Sequence, residues 1–316
     1  PEATLELRRL SAEVAQLLGQ PVHPVSVLHS HKIDPALLDG EPAVIFEQAV
    51  RQAKAEGIAE LIVLPLFIGH SLALTEYLPK VFSEASPGAM RLTIREPLFD
   101  PGDLDELPGM LIDNLKSTGW TKGSGTVFLC DHGSPIPKVT LCRNTLAAVL
   151  RQELGLEKDA LIACSMERRE GAEYDFNEPL LEHALQQAKG DAVILMLFLL
   201  PGRHAGPDGD VATIAKERAP AGLRWKLSPL LGTHFQLPEI LAYNVGSTSP
   251  YKHDWRVWPT GCAMYMLLLA LVLILSRCLP DAAMEYPYGL GIVFGIPFLV
   301  LLIYVSSRSQ DHTDAT

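Results

Sequence analysis

Val127-Phe128-Leu129-Cys130-Asp131-His132-Gly133-Ser134-Pro135 runs from an apolar segment straight into a turn. Residues 127–130 suit a buried β-strand, and Gly133 with Pro135 suit a tight loop at its carboxyl end. In an α/β sheet that is where ligands bind. The stretch therefore predicts one free imidazole, that of His132, at the lip of a crevice. A second apolar run, residues 192–200, leads through Pro201-Gly202-Arg203 to His204. A third, residues 60–68, leads through Gly69 to His70.

These coincidences reflect an internal repeat. At an offset of 136, Pro1, Thr4, Leu5, Leu10, Ala12, Gln16, Leu18 and Gly19 fall on Pro137, Thr140, Leu141, Leu146, Ala148, Gln152, Leu154 and Gly155. With small shifts the match continues: Glu41-Pro42 with Glu178-Pro179, Gln52-Ala53-Lys54 with Gln187-Ala188-Lys189, Pro97-Leu98 with Pro229-Leu230. Each copy alternates helix and strand. The first predicts helices over residues 3–18, 43–56, 76–83 and 107–115 and strands over 25–28, 60–68 and 91–95. The second predicts strands over 127–130, 160–164, 192–200 and 224–226. Alternation of this kind argues a parallel sheet flanked by helices. The expected organisation is one α/β unit over residues 1–117, a second over 124–245, a linker over 246–260, and two transmembrane helices within 261–307. The register places the counterpart of His132 just ahead of Pro1, so the opening strand of the first unit is expected to be missing from this chain.

The transmembrane expectation rests on residues 261–276 and 288–307. Both are uncharged and apolar, approach the length needed to cross a bilayer, and are flanked by Trp255, Trp258, Tyr286 and Tyr288. Lys252, Arg256 and Arg308 at the outer ends predict a membrane-anchored protein with its globular part in the cytoplasm. A net charge of −11, from 26 basic and 37 acidic residues, argues against a nucleic-acid partner. The five cysteines form no CxxC pair and read as small core residues.

Three histidines at the carboxyl ends of central strands, His132, His204 and His70, are the candidate catalytic and metal-binding residues. Neutral imidazole ligates divalent iron, cobalt, nickel and zinc, and it is a base near neutral pH. A single loop histidine is more often an idle solvated side chain; three at matching topological positions are a stronger signal. His29 and His31 lie past another strand, where a solvent-facing tip is the plainer reading. His234 is expected to line the cleft. Glu76, Asp208 and Asp210 follow His70 and His204 closely enough to orient an imidazole or take a proton. No glycine-rich phosphate loop is present.

A strand ending in Asp131-His132-Gly133-Ser134, segments Leu197 to His204 and Pro65 to His70, and a duplicated α/β unit together resemble the CbiX/SirB family of class II chelatases, the sirohydrochlorin cobaltochelatases and ferrochelatases. The resemblance spans about residues 1–245. It implies an enzyme that inserts Co2+ or Fe2+ into a small-molecule tetrapyrrole for cobalamin or sirohaem biosynthesis. In that family two histidines bind the metal and help remove pyrrole protons; carried over, they are His132 and His204, with His70 left in the first unit. The metal is the substrate, no organic cofactor is implied, and no oligomer is required because the repeat supplies both halves. A polycarboxylate macrocycle calls for cations round the cleft, with Arg203 the first candidate and Lys138, Arg143, Arg168 and Arg169 behind it. Ser134 is a further candidate contact. A membrane-tethered metal or tetrapyrrole carrier without turnover is the alternative. The membrane hairpin departs from the family pattern.

Overall fold

The computed structural model describes residues 1–85, 87–99, 106–246 and 299–305. Helix α1 (Glu2–Leu18) buries Leu7, Leu10 and Val14, a helical stripe, and stops at Gly19. Strand β1 (Val22–Ser26) follows. Val44 and Ile45 form a short strand, β2, beside it, so α2 (Phe46–Ala55) starts three residues later than expected. Next come β3 (Glu60–Leu66), α3 (Leu78–Glu84), β4 (Arg91–Ile94) and α4 (Leu107–Ser117). The second copy runs β5 (Gly125–Asp131), α5 (Pro137–Leu154), β6 (Leu161–Ser165), α6 (Leu181–Ala184), β7 (Asp191–Met196), α7 (Asp210–Arg218), β8 (Trp225–Leu227) and α8 (Leu237–Gly246).

In the second sheet the order is β6-β5-β7-β8, every pair parallel. Both β5 and β7 are buried past their first residue, as unbroken apolar runs require when helices cover both faces. The first sheet repeats the plan with one substitution. Its order is β2-β1-β9-β3-β4, where β9 is Leu299–Val305. β9 runs antiparallel to β1 and β3, in the place that β5 holds in the second sheet.

Part of the membrane expectation is thereby corrected. The run over residues 288–307 is not a spanning helix throughout, because Leu299–Val305 is extended and hydrogen-bonded on both sides. The physical reason is that Leu-Val-Leu-Leu-Ile-Tyr-Val suits a buried strand as well as a helix, and periodicity cannot separate the two. Among the described residues no helix is long and apolar enough to cross a membrane. The run over residues 261–276 lies outside the described residues.

The two copies share an apolar core. Leu10 of α1, Leu66 of β3, Leu111 of α4, Leu129 of β5 and Leu146 of α5 belong to one buried cluster. Each such leucine contributes about 1.5–3 kcal/mol by leaving water. The outer face of each sheet has its own cluster, round Phe46 in the first and Phe128 in the second.

Candidate functional site

At the end of β5 successive side chains face opposite ways. Asp131 turns inward, where Oδ1 accepts from the Ser165 hydroxyl at 2.6 Å and faces Arg143 Nη1 at 3.4 Å. Burial pushes the Asp131 carboxyl above its ordinary pKa, while the Arg143 guanidinium pulls it back. His132, next along, keeps 18% of its side chain exposed.

The loop then doubles back on the end of β6. The Met166 amide donates to the Asp131 carbonyl at 2.7 Å, and that of Glu167 to the His132 carbonyl at 3.2 Å. Gly133 makes this possible. Its φ is +93°, and a Cβ there would lie 2.0 Å from the Glu167 carbonyl oxygen. Glu167 is consequently held beside His132, Oε1 to Nε2, at 3.4 Å.

Partners settle the tautomer of His132. Nδ1 is 3.0 Å from the Gly133 carbonyl, which can only accept, so Nδ1 carries the proton. Nε2 then presents a lone pair. It is buried, has no hydrogen-bond partner, and faces a carboxylate oxygen that is itself an acceptor. Two acceptors held this close call for a proton or a cation between them.

His204 is set by the start of α7. A Cβ on Gly209 would lie 2.8 Å from the His204 carbonyl carbon, so only glycine lets the helix approach so near. The Val211 amide donates to the His204 carbonyl at 3.2 Å. Asp210, first residue of α7, accepts from His204 Nδ1 at 2.7 Å, which leaves the Nε2 lone pair for a ligand. The rings of His132 and His204 meet edge to face, centroids 4.7 Å apart and planes at 74°.

Of the sequence candidates, His132 and His204 come together. His70 is in the first unit, its Nε2 3.6 Å from Glu96 Oε2. Ser134 places its amide and its carbonyl on Asn177. Arg203 stands beside His204, 80% exposed, with Nε 3.6 Å from Asp210. Arg168 is engaged by Glu178 and Asp175, and Arg169 sits 5.9 Å from the Tyr174 ring centroid. Arg143 is a correction: it is not a cation at the cleft but a buried side chain beneath it, 1% exposed. An arginine at mid-helix reads as surface charge until Asp131 and Ser165 are known to face it. His234 is also corrected. It is buried, stacked on Phe235 and 3.7 Å from Asp113. His29 and His31 are exposed, as the solvent-tip reading expected. Asp208 is fully outward at 98% exposure, so of the two aspartates Asp210 does the orienting.

Sequence reasoning did not single out Glu167 or Asn177. Glu167 could have been found from the repeat, since it falls on His31 at the offset of 136. Among the described residues no three His, Cys, Asp or Glu side chains close into a ready chelating set. Cys130, Cys142 and Cys164 are free and buried, matching their reading as core residues. A hydrogen bond with Cys164, and then burial, push the Cys130 thiol well above its ordinary pKa, so it is no rival nucleophile. A cavity of about 650 Å3 along the β6 edge, lined by Asn144, Arg151, Lys158 and Glu178, includes neither histidine.

No family model matches the chain, and no curated protein matches it. Solved structures do. SirB from Bacillus subtilis subspecies spizizenii, a sirohydrochlorin chelatase in complex with cobalt, aligns with a TM-score of 0.52 at 16% identity, covering 77% of this chain and 87% of that one. CbiX, described as the terminal enzyme for biosynthesis of siroheme in denitrifying bacteria, aligns at 0.48 and 17% identity, covering 77% and 90%. SirB from Bacillus subtilis with Fe3+ aligns at 0.48 and 16%, covering 65% and 77%. The chain has a CbiX/SirB-type class II chelatase fold, as the motif resemblance implied.

Proposed function

We propose that this chain inserts a divalent metal, Co2+ or Fe2+, into sirohydrochlorin at the His132–His204 site. The observation that carries the reading is the paired rings, 4.7 Å apart, each with Nδ1 committed to a protein acceptor. Two neutral imidazoles hold a hydrated M2+ loosely and leave positions open. That is what transfer needs, because a closed four-ligand cage would retain the ion.

Insertion exchanges two pyrrole N–H protons for one M2+. The metal leaves its imidazole nitrogens for the four ring nitrogens, and the two protons need acceptors. Each Nε2, once released, is such an acceptor, with Glu167 a third beside His132. Asp210 holds the ring of His204 and stabilises its imidazolium when it forms. Arg203 is exposed beside this pair and is suited to a carboxylate of the macrocycle.

The test is anaerobic insertion of Co2+ into sirohydrochlorin, followed by absorbance, with the intact protein and with His204→Ala and His132→Ala. Turnover that falls at least about a hundredfold in each variant is the expected result. Undiminished turnover in both would remove the site. Stoichiometric binding of metal or macrocycle with no turnover in the intact protein would make it a carrier instead.

A further inference from the structure

Asn177 is wholly buried, yet it lies in an irregular segment, at the end of the short turn Ala172–Asn177. Its carboxamide uses its full capacity. Oδ1 accepts from the Ser134 amide at 2.9 Å and from the Thr140 hydroxyl at 3.1 Å. Nδ2 donates to the Ser134 carbonyl at 2.9 Å and to the Tyr174 carbonyl at 3.0 Å. A primary amide has no more to give. Two of the four bonds grip both polar groups of one peptide residue, Ser134, two places past His132.

The same residue is anchored from below. Its carbonyl accepts from Arg143 Nη1 at 3.1 Å. Arg143 also donates to the Ser165 hydroxyl and faces Asp131, the residue just before His132. The peptide segment flanking His132 is thus tied on one side to Asp131, on the other to Ser134, and both ties meet at Asn177 and Arg143. The turn that carries Asn177 follows Glu167, so the two loops bearing His132 and Glu167 are joined through one side chain. At the repeat offset Arg143 falls on Leu7, so this arrangement belongs to the second unit, which also holds both histidines.

We infer that Asn177 is a positioning residue for metal transfer: it fixes the loop of residues 133–135 so that His132 Nε2 stays within reach of Glu167 and His204. The inference rests on the proposed chelatase reading for its purpose, though not for its geometry. Without the amide, the loop built on a glycine at positive φ keeps the bonds from Met166 and Glu167 to residues 131 and 132, and two local ones, from His132 Nδ1 to the Gly133 carbonyl and from the Ile136 amide to the Ser134 hydroxyl. None of these ties Ser134 to the turn of residues 172–177.

Asn177→Ala and Asn177→Asp are the variants to compare, in the full chain. The aspartate keeps the acceptor for the Ser134 amide and loses the donor to its carbonyl. Expected for Asn177→Ala are a native circular-dichroism spectrum, a Co2+ affinity lower by about tenfold or more, and an altered Co2+ ligand-field spectrum. Asn177→Asp should fall between it and the natural protein. In the metal-free state, the His132 ring signals in 15N-histidine NMR should move, with those of His70 unchanged as the internal reference. A folded variant with native His132 signals and native Co2+ affinity overturns the inference. Should the alanine variant not fold, the aspartate variant decides by the same two measurements. The metal-free signal separates this result from failure of the functional reading: intact protein that binds and inserts no metal, with His132 signals still sensitive to residue 177, refutes the chelatase reading and leaves the positioning role standing.

Discussion

Asp210 Oδ2 lies 2.7 Å from His204 Nδ1, and the pair is completed by a helix that starts at Asp210 itself. The carboxylate is 41% exposed, so losing it costs the fold little, but it decides which nitrogen of His204 is protonated. Asp210→Ala should therefore lower Co2+ affinity by about tenfold to a hundredfold while changing the thermal midpoint by no more than a few degrees. Isothermal titration beside a melting curve separates the two effects. Equal loss in both would make Asp210 a structural residue only.

Gly133→Ala should damage the site from the opposite side. Positive φ on a residue with a Cβ costs about 1–3 kcal/mol. The clash with the Glu167 carbonyl, at 2.0 Å, adds a displacement of backbone that cannot be relieved by a rotamer. A lower melting temperature and weakened Co2+ binding are expected together. A variant indistinguishable from the natural protein would show that the loop does not close on Glu167.

Stability should depend on pH through His234. Burial lowers its pKa from 6.5, with Asp113 opposing. Its Nδ1 accepts from the Gln236 amide at 3.3 Å, a role for the neutral ring. A base with a lowered pKa in the folded state leaves the unfolded chain binding more protons, so stability is present above pH 6.5 and is lost as pH falls through the folded value. His234→Asn keeps an acceptor without the titration. Melting temperatures from about pH 7.5 to about 5.5 should fall less steeply for this variant than for the natural chain. A smaller slope remains from His23, whose pKa burial also lowers. Identical slopes would assign the effect elsewhere.

Strand β9 can be tested by one backbone substitution. Leu302 is paired with His23 on one side and Val63 on the other. Proline there removes a donor from a central strand, where it is essentially never tolerated. Leu302→Pro should lower the melting temperature by roughly 4 °C or more. If the globular part melts as before, residues 299–305 are not part of its sheet.

Much of the architecture was legible because it rests on local pattern. The apolar runs read over residues 60–68, 127–130 and 192–200 hold the central strands Glu60–Leu66, Gly125–Asp131 and Asp191–Met196, and Gly19 ended the first helix where it was expected to. His132 and His204 were legible as strand-end residues, since neighbouring parallel strands end on the same edge of their sheet. Residues 299–305 were misread because an apolar run carries no mark of its hydrogen-bond partners. Those partners are supplied by β1 and β3, more than two hundred residues away in the chain.

By itself the sequence determined that the chain is a duplicated α/β protein and that imidazoles stand at its strand ends, because periodicity and turn residues act over a few positions. Only the tertiary structure decided that two of those imidazoles meet, that Glu167 joins His132, and that Arg143 and Asn177 lie beneath the site. Each of these depends on which loops cross in space, and hydrogen bonds between residues tens of positions apart leave no spacing to read.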